Sequence, residues 1–134
     1  MTHAEEPVRL EHAFLYVRDL DAALAFYRRV LPGWTVRWEG RARAGRWVHF
    51  GPPGGVQPSY LSICEAPAAA APPEEDRAPG VDHIGFAHPD VDGLVARLAA
   101  AGIAPTDELE EGPWRRAYFR DPDGHQLEFV QHLG

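Results

Sequence analysis

The sequence predicts an α+β fold made of two tandem β-α-β-β-β halves, and three observations predict it. Residues 10–31 slide onto 81–102 without a gap. In that register Leu20, Ala23, Leu24 and Tyr27 fall on Val91, Leu94, Val95 and Leu98, so two apolar helix faces coincide. Between the halves, Ala66–Gly80 is rich in Pro and Ala; its prolines stop a helix from propagating, and nothing in it can pack a core. Identities are few (His12/His83, Asp19/Asp90, Asp21/Asp92 and Ala25/Ala96), but the shared pattern is much stronger than the identity. Further on Phe50 falls on Phe119, and after a short gap Leu61 falls on Leu127. The expected organisation is one domain: a first module over 8–65, a linker over 66–80 and a second module over 81–133.

Each element has a local reason. Residues 10–17 are rich in aromatic and branched side chains, as in a strand. Asp19 is placed to cap a helix whose apolar stripe runs from Leu20 to Leu31, and Pro32-Gly33 ends it. Trp34–Glu39 and Arg46–Phe50 read as strands around a Gly/Arg loop, and Tyr60–Glu65 as a fourth strand. Gly51–Gly55 is a loop, and no Lys-Ser/Thr or helix start follows it as a phosphate-binding loop requires. In the second half Val81–Ala87 is a strand, Asp90 a helix cap and Gly102 the helix stop. Trp114–Arg120 and Gln126–Gln131 are strands joined by the turn Asp121-Pro122-Asp123-Gly124.

Composition narrows the function classes. The chain has 134 residues and a formal charge of −7, which leaves no basic face for nucleic acid. No apolar run approaches the ~20 residues of a membrane span, and the polar, acidic N-terminus does not open like a signal peptide. A cytoplasmic protein is expected. The one cysteine, Cys64, sits in an apolar strand and reads as a buried reduced thiol.

Strand alternation separates two faces. Ala13, Leu15 and Val17, like Ile84 and Phe86, belong on the helix side, which turns His12 and His83 to the opposite face. Leu127 and Phe129 take the helix side of the last strand and leave Gln126, Glu128 and Val130 opposite. Two histidines at matching positions with one carboxylate form a divalent-metal pattern suited to Fe, Mn, Ni or Zn, with part of the coordination sphere open. The expected ligands are therefore His12, His83 and Glu128.

Three segments carry a resemblance to a known family. They are Leu10–Arg28, Val81-Asp-His-Ile-Gly-Phe86, and Phe119-Arg-Asp-Pro-Asp-Gly-His-Gln-Leu-Glu-Phe-Val130. Together they resemble the vicinal oxygen chelate superfamily, the group of glyoxalase I, extradiol dioxygenases and the fosfomycin- and bleomycin-resistance proteins. The resemblance implies paired βαβββ modules forming a cupped, eight-stranded mixed sheet around a metal, and it puts His12, His83 and Glu128 on three ligand positions. The fourth position, a Glu or Gln in glyoxalase I, falls here on Ser62, a poor ligand for a borderline divalent ion. Glu65 is the nearby acid, but it has the wrong strand parity. A three-ligand site is the expectation.

Other residues share the expected site face. His49 aligns with Tyr118, and these two are the candidates for handling protons. Arg116 and Arg120 are candidates for gripping a substrate carboxylate, and Trp47 with Trp114 for an apolar wall. The resulting expectation is a metal-dependent enzyme, either a lyase/isomerase or a dioxygenase, acting on a small molecule with two adjacent oxygens. Its alternative is a drug-sequestering protein of the bleomycin-resistance type. The family resemblance also implies a homodimer, with modules pairing within one chain or between two.

Overall fold

The structure is a computed structural model, and it describes residues 10–41, 45–53, 59–66 and 81–133. The expected linker falls outside these residues except for Ala66, as do parts of the loops at 42–44 and 54–58. The element order is β1 (His12–Val17), α1 (Leu20–Val30), β2 (Thr35–Arg41), β3 (Arg46–Gly51), β4 (Tyr60–Glu65), β5 (Ile84–Ala87), α2 (Val91–Ala100), β6 (Asp107–Glu111), β7 (Trp114–Arg120) and β8 (Gln126–His132). The fold is α+β, and the repeat is present in its topology. One four-stranded mixed sheet has the order β1-β4-β3-β2, the other β5-β8-β7-β6. In each, the first strand pairs parallel to the last and the remaining pairs are antiparallel.

The chain divides into two compact units. One holds the β1–β4 sheet; the other holds Asp21–Pro32 of the α1 region together with everything from β5 onward. In the first, Leu15, Val17, Val48, Phe50, Leu61 and Ile63 are buried. In the second, α2 lies against β7 and β8, and Phe129 stacks on Phe86 with ring centres 5.3 Å apart and meets Phe119 edge-on at 6.0 Å. Among the described residues, no helix is long and apolar enough to cross a membrane.

The alternation places both sheets as the sequence requires. His12, Phe14 and Tyr16 alternate with the better-buried Ala13, Leu15 and Val17. The strands at Tyr60–Glu65 and Trp114–Arg120 have the expected limits, while the fifth begins at Ile84, not Val81. One strand has no hydrophobic signal at all. β6 reads Asp-Glu-Leu-Glu-Glu and is exposed throughout. It is an edge strand, held by backbone pairing to β7, and its charges discourage a further strand from adding to it.

The helices begin with matched devices. Asp90 caps α2 by accepting from the Gly93 amide at 3.0 Å, and the Val91 amide donates to Gln131 Oε1 at 2.9 Å. In α1 the first amide, that of Leu20, donates to Glu65 Oε2 at 2.9 Å, and Arg46 also reaches that oxygen at 3.4 Å. The Leu20 amide and Arg46 hold the Glu65 carboxyl below its usual range. Glu65 and Gln131 are repeat equivalents, since Ser62 matches Glu128 three positions earlier. The final residue of β4 is therefore a helix-capping group on the face away from His12, as its parity predicts. At the other end of α2, Gly102 takes φ +83°, and the Ile103 amide bonds back to Leu98 O at 2.9 Å.

The turn after β7 is built around a buried carboxylate. Asp121, 5% exposed, accepts from the Asp123 and His125 amides at 2.9 and 2.8 Å through Oδ1. Its Oδ2 takes Tyr27 Oη at 2.7 Å and lies 2.7 Å from His125 Nδ1. Burial works against the charged carboxyl, but the bonds from His125 and Tyr27 outweigh it and hold Asp121 below the carboxylate range. The same carboxylate pulls His125 upward, while burial, with Asp121 adding to it, drives Tyr27 far up.

Candidate functional site

The second unit brings four of the expected residues together. His83 lies just before β5, Glu128 is in β8, and Tyr118 and Arg116 are in β7, with Tyr118 directly opposite Glu128 and Gly85 beside it. His83 Nε2 faces Glu128 Oε1 at 3.5 Å. Tyr118 Oη donates to Glu128 Oε2 at 2.6 Å, and Arg116 Nε approaches that oxygen at 3.5 Å. The bond to Glu128 leads burial in raising Tyr118, so the phenol keeps its proton. A Cβ on Gly85 would lie 3.3 Å from Glu128 Oε1, so glycine gives the carboxylate its room. An open cavity of about 260 Å³ adjoins the cluster, lined by Asp82, His83, Thr106, Asp107, Leu109, Tyr118 and Gln126.

The spacing of the His83–Glu128 pair is one that two ligands of a single ion can have. Two ligand atoms about 2.1 Å from one ion at the tetrahedral angle stand about 3.4 Å apart, close to the 3.5 Å between His83 Nε2 and Glu128 Oε1. His83 Nδ1 lies 2.9 Å from Asp82 Oδ2, the carboxylate backing typical of ligating histidines. Among the described residues, no three His, Cys, Asp or Glu side chains converge as a metal-holding group. His83 and Glu128 are a pair, and His12 belongs to the β1 unit.

The His12 face is aromatic. His12 stacks on Tyr60 at 4.9 Å and 10°, Tyr60 meets His49 at 4.5 Å, and His49 meets Trp47 at 5.1 Å. Arg37 lies over the Tyr60 ring at 5.9 Å. Burial leads in lowering the His49 pKa, with the Arg37 charge adding to it, and keeps its imidazole neutral near pH 7. Ser62 is 5% exposed and pairs with both Phe14 and His49, the same register that sets Glu128 beside Gly85 and Tyr118. A Cβ on Gly40 would come within 2.6 Å of the Trp47 ring, so Trp47 occupies space that only glycine leaves open.

The other candidates have protein partners. Arg116 pairs with Glu111 at 3.3 Å as well as Glu128, and its guanidinium lies 5.2 Å from the Trp114 ring centre. Arg120 donates to Gly124 O at 2.8 Å and Gln126 Oε1 at 3.2 Å, bracing the β7–β8 turn. Trp114 donates to His132 Nδ1 at 3.2 Å. Cys64 is buried, and burial raises its thiol pKa. The sequence gives Tyr60, Glu11 and Asp82 no place at the site, and Gln126 only a position on its face. Their signal was positional: an acid precedes each histidine, and Tyr60 and Gln126 each stand two residues before Ser62 and Glu128.

Two four-stranded mixed sheets, each with its first strand parallel to its last and a helix between the first two strands, define a class of small domains built from repeated βαβββ modules. Comparison with known proteins agrees. Residues 9–129 match the model of the Glyoxalase/Bleomycin resistance protein/Dioxygenase superfamily, and the chain belongs to that family. It is 30% identical over 131 residues to biphenyl-2,3-diol 1,2-dioxygenase 3 of Rhodococcus globerulus; the match covers 90% of this chain but 61% of that enzyme's length. A glyoxylase/bleomycin resistance protein/dioxygenase domain from a Frankia species has a similar structure, with TM-score 0.78, 29% identity, and coverage of 95% of this chain and 93% of that one. A point mutant of the genomically encoded fosfomycin resistance protein of Listeria monocytogenes shares the fold at TM-score 0.69 and 22% identity, covering 96% of this chain and 94% of that one; that structure is a complex with Mn(II) and 1S,2S-dihydroxypropylphosphonic acid.

Proposed function

We propose that this chain is a metal-dependent enzyme acting on a small molecule through two adjacent oxygens, with His12, His83 and Glu128 as the metal ligands. The observation that carries the reading is the His83–Glu128 pair, two ligand atoms 3.5 Å apart beside an open cavity. Supplying His12 is the task of the first module, within one chain or from a second copy in a homodimer. A bound divalent ion (Fe, Mn, Ni or Zn) would act as a Lewis acid on both substrate oxygens. The dioxygenase relative, named for a vicinal diol, supports that substrate class without choosing between ring cleavage and lyase or isomerase chemistry.

The chain's own groups divide the remaining work. Tyr118 holds Glu128 Oε2 and keeps its proton, so it orients the carboxylate and can donate a hydrogen bond to a substrate oxygen. Neutral His49 is suited to accept a proton. Trp47 and Tyr60 offer ring faces to the substrate body. Arg116 balances the charge of Glu128 and stands next to any anionic substrate group. Ser62 lines the site without ligating.

Elemental analysis of purified protein, followed by titration with Mn(II), Fe(II), Ni(II) and Zn(II), tests the reading. Stoichiometric binding that is lost in His12→Ala, His83→Ala and Glu128→Ala is expected. Absence of any titratable divalent metal, or unchanged binding in His83→Ala, overturns it and returns the drug-sequestering alternative.

A further inference from the structure

A further cavity lies in the second unit, where β5 runs into α2 beside the end of β8. Its volume is about 320 Å³, and it is lined by Ala87, His88, Pro89, Val130, Gln131 and His132. None of these belongs to the proposed metal-ligand set, and none carries a fixed charge. Its three polar side chains share one property: in each, an accepting atom is taken by a protein donor. The Asp90 amide donates to His88 Nδ1 at 2.9 Å, the Trp114 indole to His132 Nδ1 at 3.2 Å, and the Val91 amide to Gln131 Oε1 at 2.9 Å. Backbone amides and indoles can only donate, so both imidazoles have a bare Nδ1 and carry their proton on Nε2. The Gln131 side chain likewise keeps its NH2 group for another partner.

We propose that this cavity is an oxyanion site that takes the carboxylate or phosphate group of a small molecule through the Nε2–H groups of His88 and His132 and the NH2 of Gln131. Carboxylate and phosphate oxygens only accept, and they complement a lining whose polar side chains have donors to offer. His88 and Pro89 lead directly into α2, whose positive N-terminal end adds to the attraction for a negative group. The nearest acid along the chain, Asp90, has its Oδ1 on the Gly93 amide at 3.0 Å. Burial, then the charge of Arg97, lowers the His88 pKa, so this ring meets a ligand as a neutral donor. Ala87, Pro89 and Val130 supply apolar contact for the rest of the molecule. The site uses no metal and stands whether or not the metal reading holds.

Two-dimensional proton–nitrogen NMR of the full 15N-labelled chain near neutral pH, purified with chelator so that no divalent ion recruits the anion, tests the proposal. The protein is titrated separately with inorganic phosphate and with acetate, against sodium chloride at equal ionic strength. Saturable shifts at the amides of His88, Asp90, Val91, Gln131 and His132 are expected for at least one of the two oxyanions and not for chloride. Saturation by one alone identifies which group the site prefers. Gln131→Glu keeps an acceptor for the Val91 amide, as Glu65 does for the Leu20 amide in the first half, but exchanges the donors for a negative charge. Affinity should then fall by more than about tenfold with the thermal unfolding curve unchanged, and His88→Ala should lose about 3–10-fold. No saturable response at these amides, a response centred on His83 and Glu128 instead, or unchanged affinity in Gln131→Glu overturns the proposal. If Gln131→Glu does not fold, unchanged affinity in His88→Ala overturns it by itself.

Discussion

On their site faces the two halves make opposite choices at the same two positions. The second half sets Gly85 beside Glu128; the first sets Phe14 beside Ser62. Where one pair joins a missing side chain to a long carboxylate, the other joins a phenyl ring to a hydroxymethyl. The antiparallel neighbours differ too, Tyr118 against Glu128 and His49 against Ser62. The second half gathers charged and hydrogen-bonding groups around one carboxylate, while the first gathers rings around His12. A repeat can thus preserve backbone and register while giving one half a hydrogen-bonded carboxylate and the other a cluster of rings.

The turn that follows β7 offers the largest way to break this comparison, because the asymmetry of the second half depends on Asp121 being in place. Asp121→Ala leaves two amides, Tyr27 and His125 without their common acceptor. We expect a loss of about 3–5 kcal/mol in urea unfolding. Next comes the ligand comparison. Glu128→Ala should weaken divalent-metal binding by more than about 100-fold, since a ligand outweighs the groups that support it. Ser62→Ala should change it less than about twofold, because a hydroxyl contributes little to such a site. The double variant Phe14→Gly with Ser62→Glu copies the second half into the first, and calorimetry should show tighter metal binding than in wild type.

A pH series sharpens the contrast at intermediate size. The folded-state pKa of His125 is raised, chiefly by its bond to Asp121, so its stabilisation is complete below about 6.5 and fades as pH rises through the raised value. Asp121 is lowered, so its stabilisation is complete above about 4 and is lost as pH falls through the depressed value. Together they give the second half a stability maximum between those limits, which His125→Gln should flatten in a plot of Tm against pH. The smallest effect is expected for Gly85→Ala. Its new Cβ, 3.3 Å from Glu128 Oε1, should cost under about 1 kcal/mol but displace the carboxylate enough to weaken metal binding several-fold.

The fold was legible where burial imposes a period. The gapless match of 10–31 with 81–102 gave the two modules, and alternation along β4 put Ser62 on the site face and Glu65 off it. Such positions are specified because a one-residue slip would invert a buried face. β6 was not legible, because an exposed acidic edge strand owes its existence to the backbone of β7 and leaves no hydrophobic trace. Nor was the use of Glu65, whose partner is an amide 45 residues earlier. Of the site, His83, Glu128 and Tyr118 were found by facing and are in contact. Arg116 and Arg120 were found by the same parity, yet parity cannot reveal that Glu111 and the turn at Gly124 bind them. Tyr60 escaped because a tyrosine at a strand start suggests core or surface before it suggests a ring stacked on His12.

The last strand of each half works on both sides. In β8, Glu128 meets His83 and Tyr118 on one face, and three residues on, Gln131 holds the first amide of α2 on the other. β4 has the same helix-holding residue in Glu65 but only Ser62 where the carboxylate would be. Chemistry and scaffold are therefore written on separate letters of one strand. A substitution can remove or install a carboxylate on one face without loosening the helix that is held from the other.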